Sequence, residues 1–184
     1  MNDFALLLAR VALGASIASH GAQKKFGWFD GPGPEKAASV FEGIGFAPGP
    51  AFRDAAVATE IGGGVLTALG LGGPIGPLAL ASTMLVAGRS VHAKNGFFAQ
   101  NGGYELTSAY GTAAIALAAA GPGRISLDAA FGWDALLGKP WVLALGFAGA
   151  LAAGLAILNQ QTAPAAQPHP NGKTDAPEPA AAEA

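Results

Sequence analysis

The sequence predicts an all-α integral membrane helical bundle: a four-helix core, a fifth C-terminal transmembrane helix and almost no water-soluble body. Three observations carry this. Of 184 residues, 51% are apolar and only 12% are charged, against about 25% charged in an ordinary soluble domain. Apolar segments recur at close to the roughly 20 residues needed to cross about 30 Å of hydrocarbon. Between Ile61 and Gly88 no charged side chain occurs, yet Gly72-Gly73-Pro74 and Pro77 break that stretch. It therefore reads as a helical hairpin.

The segments follow in order. The first covers about residues 4–23. Its flanks argue against a signal peptide, because Asp3 and no Lys or Arg precede the apolar run and Arg10 interrupts it. It reads as a retained helix. The second covers about 52–71, the third 76–91, and the fourth 104–120, stopping at Gly121-Pro122-Gly123. The fifth covers 140–158. Gly and Ala are frequent within them, as expected where helices in lipid associate by close backbone approach. Ala56, Glu60 and Gly64 share one such face. Three regions result: a bundle over 1–127, a linker and fifth helix over 128–159, and a Pro- and Ala-rich tail over 160–184. The tail lacks periodicity and is expected to be disordered, with His169 solvated.

The charge pattern limits partners and orients the chain. Net charge is −2, so nothing points to nucleic acid. The partner that composition demands is the lipid bilayer. Cysteine is absent, which excludes disulfides, iron–sulfur ligation and thiol chemistry by this chain itself. Lys24, Lys25, Lys36 and Arg53 flank the loop after the first segment, and Arg89 and Lys94 the loop after the third. The opposite side holds only Arg124 and Lys139. Basic loops favour the cytoplasm, so an outside N-terminus with both long polar loops inside is expected.

Those two loops hold most of the reactive side chains. One runs from His20 through Gln23, Lys24, Phe26, Trp28 and Phe29 to Gly33. The other runs from Asn95 through Gln100, Asn101 and Tyr104 to Glu105. With Leu8-Ala9-Arg10, His20-Gly21, Gln23-Lys24, Phe26-Gly27-Trp28-Phe29, Glu60-Ile61-Gly62-Gly63, His92 and the run from Asn95 to Glu105, residues 4–127 resemble the DoxX family of bacterial membrane proteins. The resemblance implies a four-helix bundle in the bacterial inner membrane. It also implies a link to redox systems, since some relatives belong to thiosulfate–quinone oxidoreductase or to a membrane oxidoreductase complex for oxidative stress. It implies no catalytic residue, and at most a subunit of such a complex. The fifth segment and the tail lie outside it.

Physics ranks the residues further. Glu60 sits about 12 Å into the second segment at about 1.5 Å per residue. An isolated charge there costs at least about 2.5–3.5 kcal/mol, so it must be protonated, paired or wet. Arg10 enters from the opposite side, and the two Cα depths differ by about 9 Å. A register-fixing Arg10–Glu60 pair, a role in proton or substrate handling, and snorkelling of Arg10 are the three readings open. Arg89 and His92 share a helix face with Ser82 and Leu85. Glu105, Ser108 and Thr112 form a polar row running inward from the loop side. His20, His92, Glu105 and Glu60 are thus candidates to line one cavity, where a histidine and a carboxylate could exchange protons with a quinone headgroup. The competing reading has these groups capping helix ends and holding loop backbone. Trp28, Phe26, Phe29, Phe97 and Phe98 fit an interface belt, and Trp133 and Trp141 anchor the fifth segment. No His-x3-His spacing supports a metal site.

Three functions compete. A quinone-linked or redox-associated membrane subunit ranks first. A non-catalytic adaptor docking a soluble, redox partner ranks second. A small-solute carrier ranks last, because breaks fall at segment ends rather than at mid-membrane.

Overall fold

The first helix begins where the Asn2 side chain accepts a hydrogen bond from the Ala5 amide at 2.7 Å. A computed structural model describes residues 2–163, and its helix α1 runs over Asp3–Phe26. Asp3 in the first turn and Lys24 and Lys25 in the last complement the helix dipole. Gly27 ends the helix in the left-handed region at φ 69°, where a residue without Cβ is unstrained. At about 1.5 Å per residue α1 is about 36 Å long. Leu6, Arg10, Leu13, Gly14, Ile17 and Gly21 recur at helical spacing and form its buried stripe.

Helix α2 (Gly33–Gly43) lies in what the sequence presents as loop. Pro34 sits in its first turn, where a missing N–H costs nothing. Helix α3 (Gly49–Val57) follows, and Phe46 is fully buried between Phe41 and Phe52, with ring centroids 6.3 and 5.0 Å away. Without interruption the chain passes through a π-helical turn, Ala58–Gly62, into α4 (Gly63–Leu69). Residues 49–69 are therefore one rod, starting three residues before the expected 52. Gly70, Gly72 and Gly73 all take positive φ and reverse the chain into α5 (Ile75–Ala87), which ends in a second π-helical turn, Gly88–His92. Two 3-10 turns lead to α6 (Glu105–Ala120). Short helices α7 (Leu127–Phe131) and α8 (Asp134–Leu137) occupy the expected linker, and α9 (Pro140–Leu158) is the fifth long helix.

The four rods α1, 49–69, 75–92 and α6 close into a ring. Helix α1 packs on α4, α4 on α5, α5 on α6, and α6 returns to α1. The core is Leu6, Leu13, Ile17, Leu80, Met84, Ala114 and Leu117. Helices α1 and α4 approach backbone to backbone at Gly14 and Gly64, where a Cβ on either glycine would overlap the other's carbonyl oxygen. This is the small-residue packing anticipated for helices in lipid. Helix α9 stands outside the ring and rests chiefly on α5. A Cβ on Gly146 would lie 2.9 Å from Leu78 Cδ1, and one on Gly154 2.9 Å from Ser82 Oγ.

The fold has two ends, the Lys24 end and the Arg124 end. At the Arg124 end the Arg124 amide donates to Asp3 Oδ1 at 2.9 Å. At the Lys24 end, Gln161 Nε2 donates to Ile44 O at 2.7 Å and the Thr162 amide to Gly45 O at 2.9 Å. The first residues assigned to the disordered tail are thus strapped to the loop after α2. The remainder of that expectation, with His169, lies outside the described residues. Among the described residues, α1 and α9 are each long and apolar enough to cross a membrane.

Candidate functional site

Glu60 is the most deeply placed carboxylate of the Lys24 half, and the π-helical turn puts it there. Such a turn inserts one extra residue per cycle and is frequent at functional positions. Here it aims Glu60 at α1, 5% exposed. Gly21 makes room: a Cβ at that position would lie 3.1 Å from Glu60 Cβ and 2.6 Å from Ile61 Cγ1. Lys24, one turn further along α1, brings Nζ to 2.8 Å from both Glu60 carboxylate oxygens. The same Nζ donates to His20 O at 3.4 Å. His20 Nδ1 lies 3.2 Å from Gln23 Oε1, and Gln23 Nε2 donates to Phe29 O at 3.4 Å. Phe29 and Asp30, both with φ near +55°, make the sharp loop that this amide holds.

The pair is asymmetric. Glu60 is buried, whereas the Lys24 side chain remains 25% exposed. Burying a carboxylate is tolerated only with a partner that is itself well hydrogen-bonded. Lys24 supplies that partner while keeping part of its own side chain uncovered. Below it, Lys25 stands 3.6 Å from Asp54, and Arg53 holds Asp54 at 2.9 Å while donating to Pro34 O. These ties fix α2 and α3 beneath the end of α1.

Arg10 does not meet Glu60. It is 2% exposed and lies at the other end, over the Cα of Gly70, with Nη2 donating to Ile125 O. Similar depth is compatible with the pair, but the structure gives Glu60 the Lys24 ammonium and Arg10 the Ile125 carbonyl instead. Nor does Arg10 snorkel: its guanidinium is buried at its own end of the bundle, with the Ile125 carbonyl as its partner. Its Nε and Nη1 have no hydrogen-bond partner among the described residues.

The second loop is organised separately. His92 Nδ1 donates to Gly102 O at 2.7 Å, and Asn95 Nδ2 donates to the same carbonyl at 3.1 Å. Glu105 accepts from the Ala99 amide at 2.9 Å. Tyr104 stacks edge-on with Phe97 at 5.5 Å. Gln100 is exposed and Asn101 closes a 3-10 turn. His92 and Glu105 therefore hold loop backbone. His20 is exposed on α1, so the four groups expected to line one cavity divide into a Lys24–Glu60–His20 group and a loop-holding group. Ser108 and Thr112 are exposed as well. The buried stripe of α6 is Ala114, Leu117 and Ala118, which turns those hydroxyls outward.

One polar residue of the Arg124 end escaped the sequence reading. Asp128 is fully buried and accepts from the Gly72 amide at 2.9 Å and the Gly73 amide at 2.6 Å, while its own amide donates to Gly70 O at 3.0 Å. A glycine-rich reversal leaves backbone donors that demand an acceptor. That demand was readable in Gly70–Gly73, but not which distant residue meets it.

Fold and sequence together define an all-helical integral membrane protein with a four-helix core. Residues 5–93, just under half of the chain, match the DoxX family, in line with the resemblance drawn from the sequence. No curated protein and no solved structure matches the chain. The matched residues contain the whole Lys24–Glu60–His20 group and His92. The run from Asn95 to Glu105, α6, Asp128 and α9 lie beyond them.

Proposed function

We propose that this chain is a multi-pass subunit of a quinone-linked or redox-associated assembly in the bacterial inner membrane, with its working site at Glu60, Lys24 and His20. The observation that carries the reading is the buried carboxylate bridged by a partly exposed ammonium at one end of the bundle. Reduction of a quinone to a quinol takes up two electrons and two protons. A carboxylate–ammonium pair that reaches the interface can deliver protons to a headgroup held beside it, and His20 stands next to it on α1 with its carbonyl accepting from Lys24. The chain has no cysteine, so electrons come from a partner or from a cofactor carried by one. His92, Asn95 and Glu105 shape the loop alongside.

The test is retention of quinone by the full chain purified in mild detergent, read by mass spectrometry. Wild type is expected to carry ubiquinone or menaquinone, and Glu60→Gln to lose it while keeping its helical circular dichroism. Absence of either quinone from the wild-type protein refutes the reading. A second reading, a non-catalytic adaptor docking a soluble redox partner, draws on Phe26, Trp28, Phe29, Phe97 and Phe98, all exposed at the Lys24 end. Crosslinking at Trp28 that recovers a stoichiometric soluble partner supports it, and lipid-only crosslinks oppose it. The proposed orientation, with the Lys24 end in the cytoplasm, is checked by reporter fusions at the N-terminus and near Asn101.

A further inference from the structure

Helix α9 leans on α5 but leaves a furrow between itself and α6. The furrow has a volume of about 190 Å³ and is floored by Leu78, Ala81 and Leu85 of α5. Its walls are Ile115 of α6 and Phe147 and Leu151 of α9. Almost no polar surface lines it, so water entering it would find too few partners. Left empty, its walls would forfeit dispersion contacts, which are the main attraction between surfaces in lipid. The furrow opens sideways on the surface that faces the bilayer.

Its Lys24 end has a different character. One turn beyond Leu85 on the same face of that rod stands Arg89, exposed and in no ion pair among the described residues. On α6, Thr112 and Ser108 continue the stripe of Ile115 toward the same end, both exposed. The apolar furrow therefore runs up to one cation and two hydroxyls. We propose that it seats an anionic phospholipid, with one acyl chain between α9 and α6 and its phosphate at Arg89, Thr112 and Ser108. A cation with two hydroxyl donors complements a phosphodiester, and attraction of anionic lipid to a basic residue at the interface adds to it. This site is distinct from the Lys24–Glu60 group and stands whether or not that group handles quinone.

The test uses the full chain in detergent, titrated with phosphatidylglycerol or phosphatidylcholine and observed by native mass spectrometry. Wild type is expected to retain phosphatidylglycerol several-fold more than phosphatidylcholine. Arg89→Gln, an exposed change, is expected to abolish that preference. Ala150→Phe, which fills the furrow from α9, is expected to lose the retained lipid of either headgroup, with helical circular dichroism unchanged. Equal retention of the two lipids by wild type overturns the proposal. So does a preference that survives Arg89→Gln, or a dimer that Ala150→Phe disrupts, which would assign the furrow to a second copy of the chain.

Discussion

Lys24 Nζ lies 2.8 Å from both carboxylate oxygens of Glu60, although the residues are 36 apart in sequence. Only one of the two can reach water, and this makes the pair's mutational response directional. Lys24→Met strands a buried carboxylate and is expected to cost about 3 kcal/mol, the lower part of the range for breaking buried pairs. Glu60→Gln strands a lysine that is already a quarter exposed and can swing outward, so about 1 kcal/mol is expected. Unfolding midpoints in detergent order the two, and the double variant should fall between them. Equal losses would mean that the carboxylate is wet rather than buried.

The Gly14–Gly64 crossing sets a second expectation. A Cβ at either position overlaps backbone of the opposite helix, and backbone cannot move aside as a side-chain tip can. Gly14→Val should therefore cost about 1–3 kcal/mol or more. Ala15→Val, one residue round on the exposed surface of α1, should cost far less. Thermal aggregation of the two variants in the same detergent provides the comparison.

Asp128→Asn keeps the shape of the side chain but leaves one oxygen for two glycine amides. A buried donor left unpaired costs about 1–3 kcal/mol. The loss should appear as faster amide exchange confined to Gly72 and Gly73 and to Asp128 itself. Uniform acceleration through the core would instead place Asp128 in the global fold.

Removing α9 tests whether the ring is self-sufficient. None of its residues belongs to the central core, so a chain ending at Lys139 should insert in membranes and keep the circular dichroism of its remaining helices. Failure to accumulate would show that α9 is needed to build the bundle.

The helices were legible where apolar length alone decides. The segment 140–158 coincides with α9 because an uninterrupted apolar run fills it and Pro140 marks its start. Helix α2 was not legible because Gly31, Gly33, Gly43 and Gly45 frame it like a loop, while what holds it is remote: Phe46 against Phe52, and Arg53 on Pro34. Depth singles out Glu60 as a group that must be protonated, paired or wet, and in the structure its neighbour is Lys24. The partner was misjudged because depth carries no azimuth, and the π-helical turn that rotates Glu60 toward Lys24 leaves no mark in hydropathy. His92 and Glu105 looked available for chemistry because spacing cannot reveal that Gly102 and Ala99 already occupy them.

The strap from Thr162 to Gly45 has a consequence for how the chain can be read in a living cell. Asn2 lies at the Arg124 end and Thr162 at the Lys24 end, so on the proposed multi-pass topology, with all five long rods crossing, these two points fall in different compartments. A single molecule labelled near both carries its own internal control: one label must be protected whenever the other is reached. Both labels being reached from the same side would require an even number of crossings, with α9 the first helix to be struck from the count.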